Sequence, residues 1–293
     1  MDETPPGDEG NQVEAGVEAE EEAEPEEEEA PPPPTDDQVA LAEEPGLWLP
    51  DEPTRMVFHG VGFSFVQQGR SAWVHRLRLP ENDDDEVTRV INHVDAILSI
   101  RSLPDATWWL GEQTTPGYLA DYLVELGLEP DDPPELRSLT IAKAPEGEPE
   151  VEVEVRRVDT VDQLLQALEI DWECFDIPEE ERAVRRTEAR EAWPKHQLDG
   201  TMTTYLAFVD GEAVGFGRDV FTRHGVLLLG GAVLPDARGQ GVYTALAIAR
   251  WAHAAERGAR RLFVSAGPLS APILESLGFE RIGTVRLLKQ HVT

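Results

Sequence analysis

Basic residues are scarce in this chain of 293 residues, 25 Lys and Arg against 58 Asp and Glu, and none precedes Arg55. Nucleic-acid binding rests on clustered cations that neutralise phosphates, so no nucleic acid is expected as a partner. Cysteine is nearly absent too. Cys174 is the only one, which excludes an internal disulfide and any cysteine-based metal cluster, and it reads as a small core residue rather than a nucleophile. No apolar run approaches the roughly 18 residues of a membrane span, and the N-terminus lacks the charged and apolar regions of a secretory signal. The expectations are no membrane, no metal and a cytoplasmic protein.

The shortage of bases is concentrated at the N-terminus. Residues 1–54 hold 20 of the acids, the proline run Pro31–Pro34 and no aromatic before Trp48. Such a composition cannot repay its ordering entropy, so residues 1–54 are expected to form an acidic, Pro-rich disordered tail, solvating rather than docking. The remainder carries 38 acids against 25 bases, a net charge near −13.

What is present is organised around Leu227 to Ala249. Leu227, Leu228 and Leu229 with Ala232 and Val233 read as a buried strand, Pro235 and Asp236 as a break, and Val242, Leu246 and Ala249 as one face of a helix. Between them lies Arg238-Gly239-Gln240-Gly241. Two glycines let a backbone approach a ligand closely, and several N–H groups at a helix start favour negative charge. The stretch reads as a pyrophosphate seat.

Val233-Leu234-Pro235-Asp236-Ala237-Arg238-Gly239-Gln240-Gly241, following a strand and opening a helix, resembles motif A of the GNAT superfamily of N-acetyltransferases. A second strand and a helix ending in Leu277-Gly278-Phe279 extend the resemblance over roughly residues 150–290. The usual turn places a small residue where this chain has Tyr243. The resemblance implies an α/β (α+β) GNAT fold, a mixed central sheet flanked by helices, with acetyl-CoA as acyl donor and Val233, Arg238, Gly239, Gln240, Gly241, Val242 and Tyr243 as its binding residues. It also implies an amine acceptor, on a small molecule or a protein, with the chain a monomer or homodimer. A non-catalytic acyl-CoA-binding or sensing module, and an interaction protein using its acidic tail, are the alternatives.

The first half repeats this order. Two apolar segments, Met56 to Val66 and Ala72 to Leu79, flank a hairpin turn at Gln67 to Arg70; Glu86 to Ile100 has helical spacing behind Asn82 to Asp85. A short strand at Ala106 to Leu110, a helix after Pro116 stopped by Gly127, and a strand at Leu136 to Ile141 follow. Leu79-Pro80 precedes Gly127 much as Leu234-Pro235 precedes Gly278, which suggests an internal duplication. Residues 55–146 are therefore read as a degenerate GNAT-like domain and residues 150–293 as the acetyltransferase domain, a tandem arrangement. Where the second copy has its glycine turn, the first has Glu81-Asn82-Asp83-Asp84-Asp85, acids that cap a helix and repel a pyrophosphate.

Acyl transfer to an amine needs a base for the amine and an acid for the departing thiolate. Many members of the resembled family place a tyrosine where this chain has Leu274. Tyr243 in the turn or Ser265 at a strand end stands as the candidate acid, with packing as the other reading of Tyr243. Asp219 and His224 stand as candidate bases. Gly230-Gly231 fits a bulge that would turn an N–H towards the reacting carbonyl, or simple close packing.

Overall fold

The structure, a computed structural model, describes Met1, residues 31–49 and residues 55–292. Most of the expected tail, residues 2–30 and 50–54, lies outside the described residues. The rest of that stretch corrects the expectation. Asp36–Glu43 form a helix, α1, opened by a Thr35/Gln38 capping box, and Pro45–Trp48 form a 3₁₀ turn. Leu41 and Ala42 are fully buried, against Phe263. Two apolar side chains suffice here because their partners are supplied from elsewhere in the fold.

The described residues from Pro34 onward make up one compact unit. Its first half runs β1 (Arg55–Gly60), β2 (Phe63–Gln68), β3 (Ser71–His75), α2 (Asp84–Arg101), β4 (Asp105–Leu110), α3 (Leu119–Glu125) and β5 (Glu129–Ile141). The segment read as one strand, Met56 to Val66, is a hairpin, broken where Gly62 takes φ +75°. Helix α2 starts where Asp83 accepts the N–H of Glu86 and buries Val87, Val90, Val94 and Leu98, the stripe its spacing predicts.

The second half runs β6 (Glu154–Arg157), α4 (Val161–Cys174), α5 (Glu179–Asp199), β7 (Met202–Val209), β8 (Glu212–Thr222), β9 (Gly225–Val233), α6 (Val242–Glu256), β10 (Leu262–Ala266), α7 (Ala271–Ser276) and β11 (Glu280–His291). Thr160 and Gln163 cap α4 reciprocally. Asp210 and Gly211, both at positive φ, form the two-residue β7–β8 turn expected of Asp-Gly. Helix α5 continues through Pro194.

All strands join one 11-stranded sheet, ordered β1-β2-β3-β4-β11-β5-β10-β9-β8-β7-β6. The two halves repeat one another in a specific way. In each, a parallel pair touches through only two residue pairs, Trp73/Thr107 and Val74/Trp108 in the first and Val226/Leu262 and Leu227/Phe263 in the second, and then splays. The halves also exchange their last strands: β5 pairs with β10, and β11 pairs with β4. The border drawn at residues 146–150 is thus a border in sequence, while the sheet runs across it.

Candidate functional site

The second splay positions the site. Val226 and Leu227 pair with β10, and the remainder of β9 diverges from Val264, Ser265 and Ala266. Opposite β8, Arg218 alone faces both Leu229 and Gly230, so β9 carries one extra residue there, and Gly230 takes φ +81°. This is the bulge expected at the glycine pair. Beyond Val233 the chain turns through Pro235–Ala237, passes Gly239 (φ +76°) and reaches Gly241 (φ +78°), the N-cap of α6.

The start of α6 is electrostatically bare. No side chain caps it and no acid lies in its first turn, so the N–H groups that every helix leaves free point outward with the positive end of the dipole. Helix α2, at the equivalent place, has the Asp83 cap and three acids in its first turn. Arg238 folds back and donates from Nε to the Val233 carbonyl at 3.1 Å, which the Cys174 thiol also approaches at 3.4 Å. Gln240 Nε2 donates to the Asp236 carbonyl at 3.2 Å and closes the turn. A Cβ on Gly239 would meet nothing within 4 Å, whereas one on Gly241 would come 2.5 Å from Pro149 Cα. The linker therefore walls one side of the turn, and Gly239 faces open space.

Tyr243, the residue after the turn, reaches further than its position suggests. Its side chain packs against two apolar clusters at once, the one that includes Val233 and Ala237 on the β9 side and the one that includes Val264 and Leu274 on the β10–α7 side. A Cβ on Gly231, just past the bulge, would stand 3.3 Å from Tyr243 Cε2. The ring thus spans the mouth of the splay. Burial raises the phenol's pKa, against smaller lowering effects of Arg250 and of a hydrogen bond with Ser270. Leu274, one turn into α7, is fully buried in the same core.

The other sequence candidates are placed elsewhere. Ser265 projects from the opposite face of β10, where its hydroxyl donates to the Ala42 carbonyl of α1. Asp219 is held in an ion pair. It is fully buried beneath α6, where its Oδ1 accepts from Arg250 Nε at 2.6 Å while Arg250 Nη2 donates to the Arg218 carbonyl. An alternating strand carries Gly217 and Asp219 to the α6 side, so the carboxylate serves as a buried counter-ion. His224 sits at the far end of β9, with its ring edge-on to Trp48 and its Nε2 accepting from Arg223.

Opposite α6, a cavity of about 870 Å³ opens between α4, α5 and the exposed faces of β8 and β9. Leu229 and Gly230 of the bulge line it, with Trp172 and Phe216 behind them and Trp73 and Trp109 of the first half across from them. Helix α4 presents Leu164, Leu168 and Asp171, one face at helical spacing. The helical spacing of Leu164, Leu168 and Trp172 is visible in the sequence, but Asp171 was not singled out there; an Asp on the apolar stripe of a helix was the available signal. Among the described residues no group of His, Cys, Asp and Glu could hold a metal ion, and no helix is long and apolar enough to cross a membrane.

Residues 164–279 match the profile of the acetyltransferase (GNAT) family. This segment, which holds the bulge, the glycine turn and both flanking helices, is a GNAT domain. No curated protein matches the chain. Among solved structures, a GCN5-related N-acetyltransferase from Kribbella flavida is 19% identical, with 86% of this chain and 94% of that one covered at TM-score 0.62. A tandem GNAT protein from the clavulanic acid biosynthesis pathway is 16% identical, with 83% and 85% covered at TM-score 0.55. A GCN5-related N-acetyltransferase from Sphaerobacter thermophilus is 17% identical, with 87% and 91% covered at TM-score 0.55. At these identities the likeness is one of fold, and it extends over both halves.

Proposed function

We propose that the chain is an N-acyltransferase whose second half transfers an acyl group, most simply acetyl, from coenzyme A to an amine. The observation that carries this reading is the bare start of α6, set behind a bulged and splayed pair of strands. The residues fit the donor: the N–H groups around Gly239, Gln240, Gly241 and Val242 suit a pyrophosphate, charge-assisted bonds each stabilising by about 1.5–3 kcal/mol. The splayed edge ending at Val233 suits the amides of the pantetheine arm. Bound there, coenzyme A would supply a thioester carbonyl open to attack and a thiolate leaving group. The bulge at Gly230 aims backbone polarity at the cavity in which an amine would stand.

Tyr243 is the acid in this reading. Burial keeps its phenol protonated, which is the state a proton donor to a thiolate must hold. Ser265, on the far face and bonded to α1, is less suited. Tyr243→Phe is expected to lower turnover by about 10²-fold and leave acetyl-CoA affinity nearly unchanged, since the ring and its packing remain. Steady-state kinetics beside calorimetry check this, and unchanged turnover would remove Tyr243 from the role. The buried Leu274 at the customary acid position favours a second reading, an acyl-CoA-binding module without catalysis. Acetyl-CoA consumption across an amine panel separates the two: binding at one molecule per chain with turnover supports the enzyme, and binding without turnover supports the module.

A further inference from the structure

The cavity beside the bulge holds two ionic groups that the fold does not pair. Asp171 of α4 lies in a wall otherwise formed by Leu164, Leu168 and Trp172. Among the described residues no hydrogen bond or ion pair ends on its carboxylate. Burial raises its pKa, with Arg218 and then Arg185 acting in the opposite direction. Arg218 of β8 lines the same cavity, immediately opposite the bulge, and its Nε is buried without a hydrogen-bond partner. The two groups feel one another's charge and yet form no ion pair.

The other arginines around the cavity differ. Arg185 is held by Glu181 through two hydrogen bonds, at 3.1 and 2.6 Å, and Arg70 is exposed on the β2–β3 turn. Asp171 and Arg218 are thus the unmatched pair at the inner end, next to Gly230. A half-buried carboxylate and a half-buried guanidinium whose Nε is shut off from water are each costly unless a partner satisfies them, and a molecule carrying both opposite charges would satisfy both at once.

Resting on the acyltransferase reading above, we propose that the acceptor is an amino-acid-like zwitterion with an apolar side chain, its carboxylate held by Arg218 and its ammonium by Asp171. The planar guanidinium matches a carboxylate with parallel donors. Trp172, Phe216 and Leu229 take the side chain, with Trp73 and Trp109 closing the far wall. Glu180, Glu188 and Glu191 of α5 repel acceptors with a second carboxylate. In the transfer, the ammonium N–H bond breaks and its proton passes to Asp171; the freed nitrogen lone pair forms the C–N bond. The C–S bond breaks and the sulfur takes a proton from Tyr243; one of the two protons left on nitrogen restores the tyrosine through solvent, the other stays as the amide N–H, and Asp171 releases its proton to solvent.

The test compares L-phenylalanine, L-phenylalanine methyl ester and phenethylamine, on the full chain and on Asp171→Asn and Arg218→Gln. Calorimetry without acetyl-CoA reads acceptor binding, and thiol release with acetyl-CoA reads transfer. Melting curves verify that each variant folds. The full chain is expected to bind L-phenylalanine at least tenfold more tightly than the ester or the amine. Arg218→Gln should erase that preference, and Asp171→Asn should weaken all three ligands. Equal binding of the three by the full chain, no binding of any, or unaltered binding in both folded variants overturns the proposal. Failure of acetyl-CoA to bind would instead overturn the acyltransferase reading, while the calorimetry of L-phenylalanine still decides this one.

Discussion

Gly239→Asp is expected to lower acetyl-CoA affinity by about 10³-fold while the protein remains folded. The position is the better place to test the turn because a Cβ there meets nothing within 4 Å. The backbone has φ +76°, a conformation that Asp tolerates better than most residues, at a cost of about 1 kcal/mol. A fall in Tm of up to about 4 °C is therefore allowed. The added carboxylate stands beside the free N–H groups that a pyrophosphate would occupy. At an effective dielectric near 20 and about 4 Å, two like charges repel by about 4 kcal/mol, which corresponds to about 10³ in affinity. Gly241→Asp would confound the measurement by pressing on Pro149. Asp84→Asn in the first half, beside a helix start already capped by Asp83, should leave affinity unchanged. Calorimetry decides: undiminished binding to Gly239→Asp, or a second molecule bound per chain, would show that the seat lies elsewhere.

The turn was legible in the sequence because its requirements are local. Gly239 and Gly241 are needed at positive φ, and the strand before them and helix after them have their own periods. The duplication was legible for the same reason, through Gly127 and Gly278, which both stop a short helix at positive φ. The strand exchange was not. Leu136 to Ile141 reads as a strand closing its own half, nothing in its alternation names the partner, and the last strand, Glu280–His291, was not read at all. The ion pair of Asp219 was not legible either, because a polar residue in a strand is as compatible with a buried ion pair as with a site. Arg250, its partner, lies 31 residues away on a helix whose other inward residues are apolar. Tyr243 read, from its position in the chain, as part of the turn. The length of its side chain carries the ring across the splay instead.

Removing residues 1–48 is expected to lower Tm by about 10 °C, whereas removing residues 1–30 should leave it nearly unchanged. The difference lies in α1 and the turn behind it, which composition alone gave no reason to order. Leu41 and Ala42 are fully buried and cover Phe263 on the sheet. Burial of a leucine contributes about 1.5–3 kcal/mol, and hydrogen bonds to a charged group about 1.5–3 kcal/mol each. Glu43 accepts the N–H groups of Glu112 and Gln113, at 3.0 and 3.3 Å, and Gly111 leaves room for its carboxylate. Glu44 pairs with Arg78. Against these stands the ordering entropy of a short segment, so a net contribution of about 3 kcal/mol is reasonable, and each kcal/mol moves Tm by about 2–4 °C at this size. The contribution should also depend on pH. Burial raises the pKa of both Glu43 and Glu44, so the folded state holds their protons to higher pH than the unfolded chain does. Their contribution is fullest below the ordinary value of 4.5 and declines as pH rises through the raised folded values. The gap in Tm between the two truncations should accordingly widen as the pH is lowered from 7.5 towards 5. Calorimetric melts of both truncations at the two pH values provide the check, and equal melting temperatures would mean that α1 rests on the sheet without holding it.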